Sequence, residues 1–424
     1  MSKAYDFLVK HGMAPEMIDP SRYAVAMCED MENGLAARPS AMPMIPTYIR
    51  MDGQPEIGQS VIVIDAGGTN FRCALATFTE DGLEISDVEK NLMPGIEKSA
   101  TWDEFISFVA DMVQGFTDKA DYIGFCFSYN ATITPEIDGR VNRIDKEVVI
   151  TDSAGKLVGQ SLVNELEKRG IRGKRVFVLN DTVAALLGAS YDLDKSAFSG
   201  FIGQISGTGV NTCCLLPYSR IGKLERNDDT SILINLESGL YDGFPQSDFD
   251  AMLDRGSINT GEKIMEKMIA GAYLGELAKL MLLAAADEGF LSPAACEKVR
   301  RLGKVDSSYV DAWSCGSKLE LVCAREEDEE FVREICYALF DRSARCLCTN
   351  LLAIMFLTDS GSDSEKPVCV CAEGSLIDKS RYFRPLLEKY LKEYSEEKCG
   401  RYAKLRIGYE TTLPGSAVAA IYNI

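Results

Sequence analysis

Four carboxylates and two glycine turns hold the chemistry available to this chain. Val61-Ile62-Val63-Ile64-Asp65-Ala66-Gly67-Gly68-Thr69-Asn70-Phe71-Arg72 reads as a buried strand, a tight turn and a strand running back. Its two glycines let backbone approach a bulky anion with no Cβ in the way, and Asp65 keeps a carboxylate beside that anion. Ile205-Ser206-Gly207-Thr208-Gly209-Val210-Asn211 repeats the plan. Asp181, in Leu179-Asn180-Asp181-Thr182-Val183, sits where a strand passes into a helix, the end at which α/β proteins bind ligands. Glu237 lies where a strand breaks into a glycine loop, and Glu266 within an otherwise apolar helical stretch. Each has a plainer reading as well: a hairpin turn, a helix N-cap for Asp181, a solvated loop acid, a surface glutamate.

What is missing narrows the chemistry further. No G-x-x-x-x-G-K-[ST] and no G-x-G-x-x-G occurs. The single histidine is His11, so Ser-His-Asp chemistry and H-E-x-x-H metal sites are excluded by count. A proton acceptor must come from carboxylate, lysine, tyrosine or cysteine.

The elements that must position these residues alternate between strand and helix. Tyr122–Ser128 and Arg175–Asn180 read as buried strands, with an amphipathic helix over Leu157–Arg169 and another starting at Thr182. Ser231–Glu237 and Val368–Cys371 read as strands, Gly261–Ala286 as one long helix, and Cys346–Leu357 as a buried helix. Glu326–Glu330 reads as the solvated start of a helix. The class is α/β, and the two hairpins imply two related halves facing a cleft.

Composition agrees with an enzyme of small molecules. The 424 residues suffice for two domains, and 46% are hydrophobic. With 64 acidic against 45 basic residues the net charge is −19, which argues against nucleic acid or an anionic membrane as partner. Fourteen cysteines without a C-x-x-C read as reduced, mostly buried thiols. With no apolar signal core at the N-terminus, the expected location is cytoplasmic, and the expected state a monomer or homodimer.

The order Asp-x-Gly-Gly-Thr-Asn-Phe-Arg, Phe-x-Phe-Ser, Asn-Asp-Thr-Val, Gly-Thr-Gly-x-Asn, Ile-Asn-x-Glu-x-Gly, Glu-Lys-Met-Ile-x-Gly-x-Tyr-Leu-Gly-Glu and Glu-Gly-Ser-Leu resembles the hexokinase family over roughly residues 30 to 420. The resemblance implies a two-domain actin-like ATPase (ribonuclease H-like) fold. Its small domain would take 61–179 plus 412–424, and its large domain 1–60 plus 180–411. It also implies phosphorylation of a hexose 6-hydroxyl by ATP with Mg2+. Carried over, Asp181 is the general base. Ser128, Lys146, Asn180, Asp181, Asn211, Glu237 and Glu266 bind the sugar. Asp65, Gly67, Gly68, Thr69, Asn70 and Arg72 form the first phosphate region and Gly207, Thr208 and Gly209 the second. Gly374 and Ser375 lie on the nucleotide side, with Gly415 and Ser416 in a late glycine-rich stretch. No side chain ligates the metal directly; Mg2+ arrives with ATP, with Asp65 reaching it through water. A non-catalytic sugar sensor on the same scaffold, and a kinase with another sugar acceptor, are the competing expectations.

Two departures bear on the sugar. Tyr129-Asn130 follow Ser128 where the family carries Phe-Pro, and Asp145-Lys146-Glu147-Val148 replace its Thr-Lys-Gly-Phe loop. The residue types still suit a carbohydrate, because Asn and ionised Glu or Asp match hydroxyls that both donate and accept. Phosphoryl transfer needs alignment and charge stabilisation more than covalent help, and closure of the halves around the sugar would exclude water.

Overall fold

The computed structural model describes residues 2–144 and 148–424. Val61, Ile62, Val63 and Ile64 are all buried, because their sheet is covered on both faces. Val61 and Val63 enter one core with Cys126, Phe177 and Leu179. Ile62 and Ile64 enter another with Phe105, Val109, Phe125 and Phe127. The alternation of a strand therefore feeds two cores from one apolar run.

Among the described residues, the first sheet has the spatial order Arg175–Leu179, Tyr122–Phe127, Ser60–Gly67, Asn70–Thr79, Gly82–Leu92. Ser60–Gly67 and Asn70–Thr79 form an antiparallel hairpin, and the other two neighbours on its inner side join in parallel. The second sheet runs Ile45–Pro46, Ser231–Asn235, Val210–Pro217, Gly200–Ser206, Val368–Glu373, Ala403–Ile407. It too is an antiparallel hairpin (Gly200–Ser206 with Val210–Pro217) flanked by two parallel strands. The expected repetition of the hairpin module thus extends to whole sheets.

Two helices tie the halves together by exchange. Helix Asp181–Ser190 leaves the first sheet and packs on strand Gly200–Ser206 of the second. Helix Thr412–Tyr422 leaves the second sheet and packs on Ser60–Gly67 and Tyr122–Phe127 of the first. The two helices also pack on each other, at backbone distance. A Cβ at Gly188 would lie 2.2 Å from the Thr411 carbonyl oxygen, and one at Gly415 would lie 1.8 Å from that of Ala184. Gly124 makes the matching room beneath, where a Cβ would lie 2.0 Å from the Ser416 oxygen.

Several expectations change. The long helix expected over Gly261–Ala286 is two helices, Ile264–Ile269 and Gly271–Asp287. Ala270 between them is extended, and Gly271 N–H leaves the helix to donate to Gly207 O at 2.9 Å. The buried helix expected over Cys346–Leu357 is the end of a 32-residue helix, Glu326–Leu357. Its acidic start is not all solvated: Asp328 is buried and accepts from Ser292 N, Ser292 Oγ and Ala324 N. Midway, buried Arg342 pairs through two nitrogens with Asp250, 2.7 Å each, and Asp250 also completes the cap at Ser247. Strand Gly82–Leu92 and the hairpin Asn130–Ile133 with Gly139–Arg143 were not anticipated, their apolar alternation being confined to Leu83 and Ile85, to Ala131 and Ile133, and to Val141. No helix among the described residues is long and apolar enough to cross a membrane.

Candidate active site

The first turn is built by strand register. Asp65 and Arg72 face each other across the hairpin, and Arg72 donates from Nε (3.0 Å) and Nη2 (2.6 Å) to Asp65 Oδ2. The other oxygen faces the turn, where a Cβ on Gly67 would lie 3.6 Å from Asp65 Oδ1 and 3.1 Å from Ser128 Oγ. Ser128 therefore lies against the first turn, with Sγ of Cys126 at 3.5 Å from its hydroxyl. Gly68 takes φ +67, which glycine adopts freely. Its carbonyl accepts from the Tyr129 hydroxyl at 3.2 Å, so a residue that departs from the family pattern helps to fix this turn. Thr69 and Asn70 are exposed at its tip. Burial pushes the Asp65 carboxyl upward, Arg72 opposes that, and the charges of Asp181 and Glu373 add to it.

The second turn meets the nucleotide-side loop. Gly207 N–H donates to Gly209 O at 3.0 Å, while Gly207 O and Thr208 O accept from Gly271 N and Ala272 N. A Cβ on Gly207 would lie 3.3 Å from Ser375 N. Gly374, at φ +126, passes so close that a Cβ would meet the Ser206 oxygen at 2.3 Å. Gly207–Gly209 and Gly374–Ser375 thus form one surface from two parallel neighbouring strands, with Thr208 and Ser375 exposed on it. The Gly68 turn, where a Cβ would meet nothing within 4 Å, leaves open space beside its backbone.

A cleft of about 570 Å³ opens between the halves, and Thr47, Tyr129, Asn130, Asn142, Asn180, Asn235, Glu237 and Lys263 are among its lining residues. Asn180 is the N-cap of helix Asp181–Ser190, its Oδ1 accepting from Val183 N at 3.2 Å. The cap is therefore Asn180 and not Asp181, which begins the helix. Asp181 Oδ1 accepts from Thr182 N at 2.8 Å. Its charge acts on both Asp65 of the first turn and Glu237 of the cleft wall. Asp181 begins the helix next to Asn180 and is not itself among the residues lining the cleft.

The wall is a relay of amides and acids. Asn211 Nδ2 donates to Asn235 Oδ1 (2.8 Å), and Asn235 Nδ2 donates to Glu237 Oε1 (2.7 Å). Asn211 Oδ1 accepts from Thr212 N and Ser238 N. Glu237 holds φ +57, a left-handed conformation that costs a non-glycine residue about 1–3 kcal/mol and tends to occur at functional sites. Glu266 Oε2 accepts from Val210 N at 3.2 Å, and its Oε1 lies 3.4 Å from Lys263 Nζ. Gly209 and Gly239 leave space for that carboxylate: a Cβ on Gly209 would lie 2.7 Å from Glu266 Oε2.

Burial raises the Glu237 carboxyl above its ordinary value of 4.5, the charges of Asp181 and Glu266 raise it further, and Asn235 and Lys263 oppose them. A raised acid stays protonated, and loses acceptor strength, up to a higher pH. We therefore expect the acid limb of kcat/KM for the sugar to fall off above 4.5, and Glu237→Gln to remove that limb. A pH profile of the two proteins checks this; an unmoved limb in the variant would assign it to another group.

Not every expected residue reaches the cleft. Gly415 and Ser416, expected at the nucleotide, are buried where the two central helices cross, and Ser416 Oγ donates to Thr412 O at 2.8 Å. The glycine there serves close helix packing instead of phosphate approach. Lys146, with Asp145 and Glu147, lies outside the described residues. Many lining residues were missed, Asn235, Lys263 and Asn142 among them. Asn235 was legible, since a strand puts it on the same face as Glu237 two residues on. Lys263 lay hidden inside the helix expected over Gly261–Ala286, and Asn142 lies in a short hairpin that was not anticipated.

A family profile described as Hexokinase matches residues 201–422, and a second of the same description matches 19–191. Hexokinase-1 of Oryza sativa subsp. japonica is 28% identical over 436 residues, covering 94% of this chain and 86% of its own. Hexokinase-1 of Schizosaccharomyces pombe is 27% identical, covering 88% of this chain and 81% of its own. A solved hexokinase from Schistosoma mansoni, complexed with glucose, superposes with a TM-score of 0.80 at 22% identity and covers 99% of both chains. The architecture is therefore the two-domain actin-like ATPase fold.

Proposed function

The chain belongs to the hexokinase family of hexose-phosphorylating kinases, and on that premise we propose that its phosphoryl donor is ATP, its acceptor the 6-hydroxyl of a hexose such as glucose, and its general base Asp181. The observation that carries the reading is the station of Asp181. It starts a helix at the end of strand Arg175–Leu179, directly after Asn180, which lines the cleft.

In this reading Asn180, Asn235 and Glu237 hold sugar hydroxyls directly in the cleft. Asn211 and Glu266 act behind them, through Asn235 and Lys263. The backbone around Gly68, Gly207 and Gly374 receives the phosphates, a reading supported at Gly68 by open space where a Cβ would meet nothing within 4 Å. Asp65, with one oxygen on Arg72 and the other toward the turn, is suited to a hydrated cation. Mg2+ bound with ATP supplies charge neutralisation at the phosphate oxygens. Asp181 takes the hydroxyl proton as the sugar oxygen forms its bond to the terminal phosphorus, and the nucleoside diphosphate leaves with the electrons of the broken P–O bond. The buried acids and amides of the wall penalise an analogue that lacks a hydroxyl, because their polar groups then go unpaired.

The test is a coupled assay of ADP release with ATP and a panel of hexoses. Hexose-dependent ADP release is the expected result. Sugar binding without any ADP would leave a sensor, and turnover with another phosphate donor alone would replace ATP.

A further inference from the structure

Tyr129 touches both the cleft and the first glycine turn. Strands Ser60–Gly67 and Tyr122–Phe127 pair in parallel with Ala66 opposite Phe127, so two residues further along each chain come Gly68 and Tyr129. Ser128 N–H donates to Ala66 O at 3.1 Å, which carries the pairing past the strand end. The Tyr129 ring packs edge-on against Phe127, with centroids 5.1 Å apart, and it borders the cleft. Its hydroxyl donates to Gly68 O at 3.2 Å.

That carbonyl shares a peptide plane with the Thr69 N–H. In a trans peptide the two point in opposite directions, so holding the oxygen toward Tyr129 directs the N–H away from the Phe127–Tyr129 ring pair. The next carbonyl, Thr69 O, accepts from Met93 N at 2.9 Å. Main chain thus holds one peptide of the tip, and the Tyr129 side chain holds the other. Gly68, at φ +67 with open space where a Cβ would stand, would otherwise let its peptide rotate readily.

Resting on the hexose-kinase reading of this site, we propose that Tyr129 is a positioning residue for the nucleotide: its hydroxyl sets the Gly68–Thr69 peptide so that the Thr69 N–H is presented to a phosphate oxygen of ATP. Backbone N–H groups beside a left-handed residue are a ready seat for an anion, provided the peptide is already turned the right way. A phenol can donate to a carbonyl, and the phenylalanine of the family pattern at this place cannot. This hold on the turn is therefore particular to the chain.

The experiment compares the parent with Tyr129→Phe, which keeps the ring and removes one oxygen. At saturating glucose, kcat/KM for ATP is expected to fall about fivefold, the scale of one neutral hydrogen bond, while KM for glucose holds. Calorimetry with Mg2+ and a nonhydrolysable ATP analogue should show a matching loss of affinity. An unchanged analogue affinity in the folded variant would overturn the proposal. So would a KM for glucose that rises in step with the loss on ATP, because that marks a loosened cleft wall instead of a turned peptide. Should the phenylalanine variant fail to fold, amide exchange in the parent decides: the Thr69 N–H should exchange more slowly once the analogue is bound, and an unchanged rate overturns the proposal. Failure of the hexose-kinase reading shows separately, as a parent that releases no ADP with any hexose, and the proposal falls with it.

Discussion

Asp181→Asn is expected to lower turnover by roughly 10²- to 10⁴-fold, the range ascribed to a positioned general base, with the affinity for hexose little changed. Asparagine keeps the size of the side chain and an oxygen to accept from Thr182 N, so the start of helix Asp181–Ser190 survives. Asn180, which caps that helix and lines the cleft, is untouched. What is lost is the acceptor for the sugar proton. Steady-state kinetics beside sugar binding by calorimetry separate the two quantities. Near-parent turnover would remove Asp181 from the base role. A parallel loss of sugar affinity would make it chiefly a sugar ligand.

Gly415→Ala should act on stability and leave the nucleotide almost alone. The added methyl would lie 1.8 Å from the Ala184 carbonyl oxygen, a backbone atom that cannot swing aside. The two central helices must then separate, and overpacking on this scale costs about 3 kcal/mol. Denaturant midpoints should fall accordingly, while KM for ATP in the folded protein stays near the parent value. A parent-like midpoint with a large rise in KM for ATP would return Gly415 to the nucleotide site.

That contrast shows what the sequence could and could not reveal. Val61–Ile64 and Val176–Leu179 were readable because buried strands are continuous apolar runs, and the acids at their ends, Asp65 and Asp181, followed from where strands stop. Glycine type did not distinguish uses. Gly67, Gly68 and Gly207 keep Cβ atoms out of turns, whereas Gly415 lets two helices touch, and residue identity alone looks the same in both. Lys263 and the break at Ala270 were hidden because tertiary contacts, including the bond from Gly271 N to Gly207 O, override a helical pattern that continues through them. The hairpin carrying Asn130 and Asn142 alternates only briefly, with Ala131 and Ile133 on one strand and Val141 on the other packed on the core, too short a run to mark a strand.

The contact through Gly188 and Gly415 also bears on how the molecule moves. Helices that meet by interlocked side chains must unlock before either can turn. Here the closest approaches, at Gly188 and Gly415, are main chain against main chain, and each helix also packs on the opposite half. A crossing this close fixes the spacing of the two helices, so any change of angle between the halves would have to turn about these two glycines.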